Sequence, residues 1–82
     1  MNNNFMQERV NGRIKADRVR VIVEDGVDLG VFSIGDALDL ARSRREDLVE
    51  VQPDSIPPVC EIVDYGRYRF RLQEARKARM HE

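Results

Sequence analysis

The residues best suited to a chemical task lie close together near the end of the chain. Arginines alternate with aromatic residues from Arg67 to Arg71, directly after Tyr65 and Gly66. Guanidinium groups pair with phosphates and aromatic rings stack on exposed bases, so this combination indicates contact with RNA. The predicted contact residues in this stretch and the basic residues that follow it are Tyr65, Arg67, Arg69, Phe70, Arg71, Arg76, Lys77 and Arg79.

The same stretch also suits a structural role. Tyr68, Leu72 and Ala75 have the spacing of one helix face, and a helix from about Tyr68 to Met80 is favoured by its length and its alanines. A strand is the alternative, with the arginines on one face and the rings on the other. We expect Tyr68 to be a core residue, and arginines on a helix are often only solvated.

Catalysis and metal binding find little support. The aspartate pairs Asp25/Asp28 and Asp36/Asp39 have the spacing of turn and helix-surface residues, and His81 is the only histidine. A single cysteine excludes an internal disulfide and a cysteine-based zinc site, and we expect Cys60 to be a buried apolar residue rather than a nucleophile. We therefore predict that the protein is not an enzyme and has no metal, cofactor or small-molecule substrate.

The net charge of −1 conceals an asymmetry between the two parts of the chain. Residues 1–64 carry 8 basic and 13 acidic side chains, net −5, whereas residues 65–82 carry 6 and 2, net +4. This pattern predicts that RNA contact is local to the basic tail. No apolar run approaches the ~20 residues that span a membrane. The first residues do not resemble a secretory signal, so a cytoplasmic location is expected.

Periodicity predicts a small α+β domain. Val19, Val21 and Val23 alternate with other residues in a half-buried strand, and Asp25-Gly26 provides a turn to a second strand with a bulge at Gly30. Ser33 begins a helix as its N-cap. Two further strands follow, so the predicted elements are strands at 18–24, 29–32, 48–51 and 59–64, with a helix from 33 to about 45.

The predicted organisation has three parts. Residues 1–10 are polar and form a disordered arm, residues 11–66 form the folded domain, and residues 67–82 form a basic helix. An apolar face on the first helix, built on Ile34, Leu38 and Ala41, must cover the sheet. Near its end, Arg42, Arg44 and Arg45 are interpreted as a solvated last turn, with an RNA patch as the alternative.

A longer motif resembles a known family. The stretch Pro57 to Tyr68 has the form P-P-V-C-x-I-x-D-Y-G-basic-aromatic, and it resembles the N-terminal domain of bacterial translation initiation factor three. Upstream residues fall at the spacing of that family without a gap, among them Asn11, Ile14, 19–22, Gly26, 30–31, 37–38, Ala41 and 47–51. The resemblance covers roughly residues 10 to 75.

The resemblance implies a fold and a function. The fold would be a ubiquitin-like β-grasp, ββαββ with a mixed four-stranded sheet and one packed helix, followed by a basic linker helix. The partners would be the RNA and protein of the small ribosomal subunit, with the initiator tRNA as a further candidate. The role would be initiation complex assembly and start-site fidelity. The RNA-facing residues would be Tyr65, Arg67 and Phe70, with Arg13 and Arg20 as weaker candidates.

Two departures from the family pattern bear on this hypothesis. Glu61 stands where relatives usually carry a basic residue, which is expected to weaken phosphate contact. Arg45 and Glu46 stand where relatives usually carry glycine and an apolar residue, so the end of the first helix is expected to be strained or differently shaped. The alternative hypothesis is therefore a stand-alone, diverged ubiquitin-like module that binds proteins and has weak or no RNA binding.

Overall fold

The sheet is built around a strand that alternates between buried and more exposed residues. In the computed structural model, which describes residues 7–80 and the side chains through Lys77, β1 (Arg18–Val23) buries Val19 and Val21 completely. β2 (Asp28–Ser33) pairs antiparallel with β1. Their pairing shifts register opposite Gly30, whose φ of 100° favours glycine, so the predicted bulge is confirmed.

The first helix, α1 (Ile34–Ser43), begins where its cap predicts. The Asp36 amide donates to Ser33 Oγ at 3.1 Å. Ala37 and Ala41 are buried against the sheet. At the far end the Arg45 amide donates to Arg42 O and the Glu46 amide to Ala41 O, which is the Schellman pattern. Arg45 has φ 58°, so the predicted strain is confirmed.

β3 (Asp47–Gln52) and β4 (Val59–Val63) complete a mixed sheet with the strand order β2-β1-β4-β3. β4 pairs parallel with β1 and antiparallel with β3. With α1 packed on one face, this arrangement is the α+β, ubiquitin-like β-grasp that the resemblance implied.

The second helix, α2 (Tyr65–Met80), begins earlier than predicted. The Asp64 carboxylate accepts the Arg67 amide at 3.0 Å, and its carbonyl accepts the Tyr68 amide. Asp64 is therefore the N-cap. The sequence predicts that Asp64 ends the last strand, that the helix starts at about Tyr68 and that the basic tail is 67–82. The strand instead ends at Val63, and the helix starts two residues before that tail.

Each face of the sheet carries an apolar cluster. Alternation along β3 and β4 separates Leu48 and Ile62, under α1, from Val49 and Val63, on the other face. Tyr68 of α2 is buried with the second pair, and Tyr65 and Leu72 pack around it. The first two turns of α2 therefore belong to the packed body.

The segment before β1 contacts the sheet edge. Val10 bridges Val49, and the Glu50 amide donates to Arg9 O at 2.9 Å. A single 3-10 turn, Asn11–Arg13, follows. Within the predicted arm, residues 7–10 thus lie along β3, and residues 1–6 are outside the described part. The division into arm, domain and tail stays a prediction.

Candidate nucleic-acid interface

The arginine–aromatic stretch forms two turns of α2, and this geometry sorts its rings. At 3.6 residues per turn, Tyr65, Tyr68 and Leu72 share the side that faces the sheet. Tyr68 is buried, as expected, and its ring stacks near that of Tyr65, with centroids 6.4 Å apart. Phe70 lies on the outer side with 62% of its surface exposed. One ring of the three is therefore well exposed for a base.

The arginines of this stretch have carboxylate partners. Arg67 Nη1 donates to Glu24 Oε1 at 2.8 Å, and Arg69 Nη1 donates to Glu8 Oε1 at 3.3 Å. The hydrogen bond and charge of Glu24 raise the pKa of Arg67. A phosphate that approaches these guanidinium groups must compete with an internal anion.

Arg71 has the most enclosed partner. Its guanidinium forks onto Glu61, with Nη2 to Oε1 at 2.8 Å and Nη1 to Oε2 at 3.1 Å, and lies 5.3 Å from the Tyr68 ring centroid. Glu61 is only 5% exposed. The hydrogen bond with Glu61 is the main cause that raises the pKa of Arg71. Glu61 is thus an internal partner that holds α2 on β4.

Tyr65 is held at both ends. Its amide donates to Asp47 Oδ2 at 2.9 Å, and its hydroxyl donates to Glu8 Oε1 at 3.2 Å. Burial and then the charge of Glu8 raise the pKa of Tyr65. Asp47 also accepts from the Asn11 amide group at 3.0 Å, while Asn11 Oδ1 accepts the Leu48 amide. Asn11 and Asp47 therefore tie the first segment, β3 and the start of α2 together.

The other predicted contact residues are dispersed. Arg20 Nη1 donates to both carboxylate oxygens of Asp28, at 3.0 and 3.2 Å, in an exposed pair between β1 and β2. Arg13 and Arg76 are exposed, and neither has a carboxylate partner within the described part of the chain. Lys77 lies 3.8 Å from Glu74, and the Arg79 side chain is outside the described residues. Phe70, Arg76 and Lys77 thus all belong to α2, whereas Arg13 lies in the 3-10 turn and Arg20 in β1.

Sequence reasoning missed the carboxylates that complete this surface. Glu8, Glu24 and Glu61 lie 61, 43 and 10 residues from the arginines that they pair with. Separations of this size carry no periodic signal. The one local signal is Asp64, which lies three residues before Arg67. This is the spacing between an N-cap residue and the helical amide that donates to its side chain.

The geometry offers no alternative chemistry at Cys60. Its side chain is fully buried, as predicted, and burial, followed by the charge of Glu50, raises the pKa of the thiol to about 12. Such a thiol is inert at neutral pH. Among residues 7–80 no cluster of potential metal ligands is found, and no helix is long and apolar enough to cross a membrane.

Comparison with known proteins agrees with the fold. The family model described as "Translation initiation factor IF-3, N-terminal domain" matches residues 10–79. Proteins named Translation initiation factor IF-3 are similar to this chain: that of Geobacter sulfurreducens is 47% identical over 76 residues, covering 88% of this chain and 44% of the relative. That of Chlamydia trachomatis is 52% identical over 69 residues, covering 84% and 39%.

A third relative shows a similar identity and coverage. Translation initiation factor IF-3 of Neisseria meningitidis is 46% identical over 71 residues, which cover 87% of this chain and 40% of the relative. The chain thus spans less than half the length of these relatives. The chain belongs to the translation initiation factor IF-3 family, and the part that it matches is the family's N-terminal domain.

Proposed function

We propose that this chain binds the small ribosomal subunit and contributes to initiation complex assembly and start-site fidelity. The observation that carries the proposal is the family match across residues 10–79, supported by a β-grasp body of the expected order. Ribosomal RNA and protein are the proposed partners, the initiator tRNA is a further one, and the cytoplasm is the proposed location.

The structure supports one surface of α2 for contact more than the other. Phe70 projects from the outer side, and Arg76 and Lys77 are exposed farther along the helix. An exposed ring beside cations suits an unpaired base and its phosphates. Tyr65, Arg69 and Arg71 face the body instead, so we propose that they position α2 and contribute less to direct contact.

A second candidate function rests on the same ion pairs. Because Arg67, Arg69 and Arg71 are each compensated by a glutamate, the basic tail offers phosphates less charge than its sequence predicts. This observation favours a diverged ubiquitin-like module that binds proteins and has weak or no RNA binding. The two candidates differ in the ligand that they require.

Binding to separated ribosomal subunits tests the proposal. The chain, labelled at its N-terminus, is titrated with purified small subunits and, as a control, with large subunits at the same ionic strength. We expect saturable binding to small subunits only, weakening as salt rises because phosphate contacts release counterions. Equal binding to both subunits would contradict the proposal, and so would salt-independent binding or none at low salt.

A further inference from the structure

The cations of this protein divide into those with and those without an internal partner. Most cationic side chains of the described residues lie within 4.0 Å of a carboxylate oxygen: these are Arg9, Arg20, Arg42, Arg44, Arg67, Arg69, Arg71 and Lys77. In the described part of the chain, the exposed cations without such a partner are Arg13, Lys15, Arg18, Arg45 and Arg76.

Three of these unpartnered cations lie in one short segment, which we call the basic strip: Arg13, Lys15 and Arg18. They are exposed. The residues that follow Arg13 and Lys15 anchor the segment: Ile14 is buried in the core under α1, and Ala16 packs against that core. The five residue steps from Arg13 to Arg18 span at most about 18 Å. The strip therefore presents three cations at short range along one piece of chain.

The backbone of the strip is fixed at both ends. Asn11 bonds to Asp47 and to the Leu48 amide before it, and the Asp17 carbonyl accepts the Ile34 amide at 2.8 Å within it. Arg18 then enters β1 opposite Ser33. A ligand that binds here orders side chains but not backbone, which lowers the entropic cost of binding. Asp17 is the one acidic residue between Arg13 and Arg18 and leaves the strip with a positive net charge.

The chemistry of the strip favours phosphates over a protein surface. Stable protein interfaces centre on apolar or aromatic residues. The exposed large apolar side chains of the described residues are Val27, Leu29, Val31, Ile56 and Phe70, and none is in the strip. Without a ring, the strip has nothing to stack on a base, whereas ammonium and guanidinium groups bind the RNA backbone irrespective of sequence.

We propose that the basic strip binds the sugar–phosphate backbone of structured RNA, and that Lys15 and Arg18 carry this contact together with Arg13. The ribosomal identity of that RNA rests on the proposed function. The strip, and not the compensated arginines at the start of α2, is then the main source of phosphate affinity in the body.

The test compares two triple variants that remove the same charge. One is Arg13→Gln, Lys15→Gln, Arg18→Gln, and the other replaces Arg42, Arg44 and Arg45, the exposed cations at the end of α1, by glutamine. Each is titrated with small subunits and with a short RNA hairpin over a salt series. We expect the strip variant to bind both ligands at least about tenfold more weakly, with a log–log salt slope lower by about three. The matched control should keep most of the slope.

The outcomes separate the two proposals. Equal losses in both variants would overturn the strip while leaving the proposed function intact, provided the parent binds small subunits. Strip-dependent binding to the hairpin without binding to small subunits would support the strip and overturn the proposed function. If the strip variant lost binding to subunits but not to the hairpin, a protein partner would replace RNA and the proposal would fail. A charge-retaining variant, Arg13→Lys, Lys15→Arg, Arg18→Lys, should restore parental binding to both ligands.

Discussion

Glu61 shows how much the role of one residue depends on its neighbours. The resemblance implies a cation at this position, next to a proposed RNA-binding turn, and this chain has an anion there. In the structure its carboxylate is buried and accepts both donors of the Arg71 fork. Its charge therefore meets Arg71 rather than solvent, and the residue positions α2 on the sheet.

Replacement of Glu61 by glutamine should destabilise the fold. The change leaves one neutral donor against the Arg71 fork in a buried site, and because Arg71 is partly exposed we expect a loss of about 1–3 kcal/mol in the free energy of unfolding. Urea denaturation measures it. The exposed Glu74→Gln is the matched control and should change stability by under about 0.5 kcal/mol. Equal effects from the two variants would show that the Glu61–Arg71 pair does not hold the helix.

Tyr68 and Phe70 are two aromatic residues for which the sequence predicts different roles, and the structure buries Tyr68 and leaves Phe70 62% exposed. Tyr68→Ala opens a cavity in the cluster with Val49 and Val63, so we expect a stability loss of about 3 kcal/mol or more. Phe70→Ala should leave the denaturation midpoint nearly unchanged but weaken binding to small subunits several-fold. A destabilised Phe70→Ala protein, or one with unchanged subunit affinity, would remove Phe70 from the proposed contact surface.

Stability should fall at alkaline pH because of two buried groups. Burial raises the pKa of the Cys60 thiol from 9.0 and that of the Tyr68 hydroxyl from 10.0, each to about 12. Between these values the unfolded chain has lost protons that the folded chain keeps, so ionisation favours unfolding. Denaturant unfolding should show full stability below pH 9 and a progressive loss from pH 9 to 12. In Cys60→Ala the decline should begin nearer pH 10; a flat profile in the parent would contradict the burial of both groups.

At the scale of elements, local patterns predicted most of the fold. The Ser33 cap and the Gly30 bulge are predicted from residues adjacent in sequence, whereas the strained end of α1 is predicted from the departure from the family pattern. The predicted start of α2 is too late because a glycine at position 66 indicates the end of a strand and not the interior of a helix. In the structure Gly66 lies in the first turn of α2, which Asp64 caps. The strand order came from the resemblance, since periodicity does not encode which strands pair.

The end of α1 can be improved by one substitution. Arg45 occupies the left-handed position of a Schellman motif, which costs an L-residue about 1–2 kcal/mol. Arg45→Gly should therefore raise the free energy of unfolding by about 0.5–1 kcal/mol, after the greater flexibility of glycine in the unfolded chain is included. The control is Arg44→Gly. Arg44 has φ −93°, which is ordinary for an L-residue, so glycine there should lower the free energy of unfolding. If both glycine variants lost stability, Arg45 would not be strained.

At the scale of the whole molecule, net charge does not describe the charge that a partner meets. The tail is basic and the body acidic by count, yet carboxylates on Glu8, Glu24 and Glu61 compensate the first arginines of α2. Three of the five exposed, unpartnered cations of the described residues lie instead on the basic strip, which ends at the first residue of β1. Sequence predicted which residues are cationic, but only the fold determines which of them meet an anion first, because the partners come from distant segments.

Competition for the small ribosomal subunit tests the proposed function of this domain. The labelled chain is bound to purified small subunits at low salt, and unlabelled full-length initiation factor of Geobacter sulfurreducens, a 47% identical relative, is added in increasing amounts. We expect complete displacement with a single transition, because both proteins would use the same site. Labelled chain that stays bound at saturating competitor, or that never binds, would contradict the proposed function.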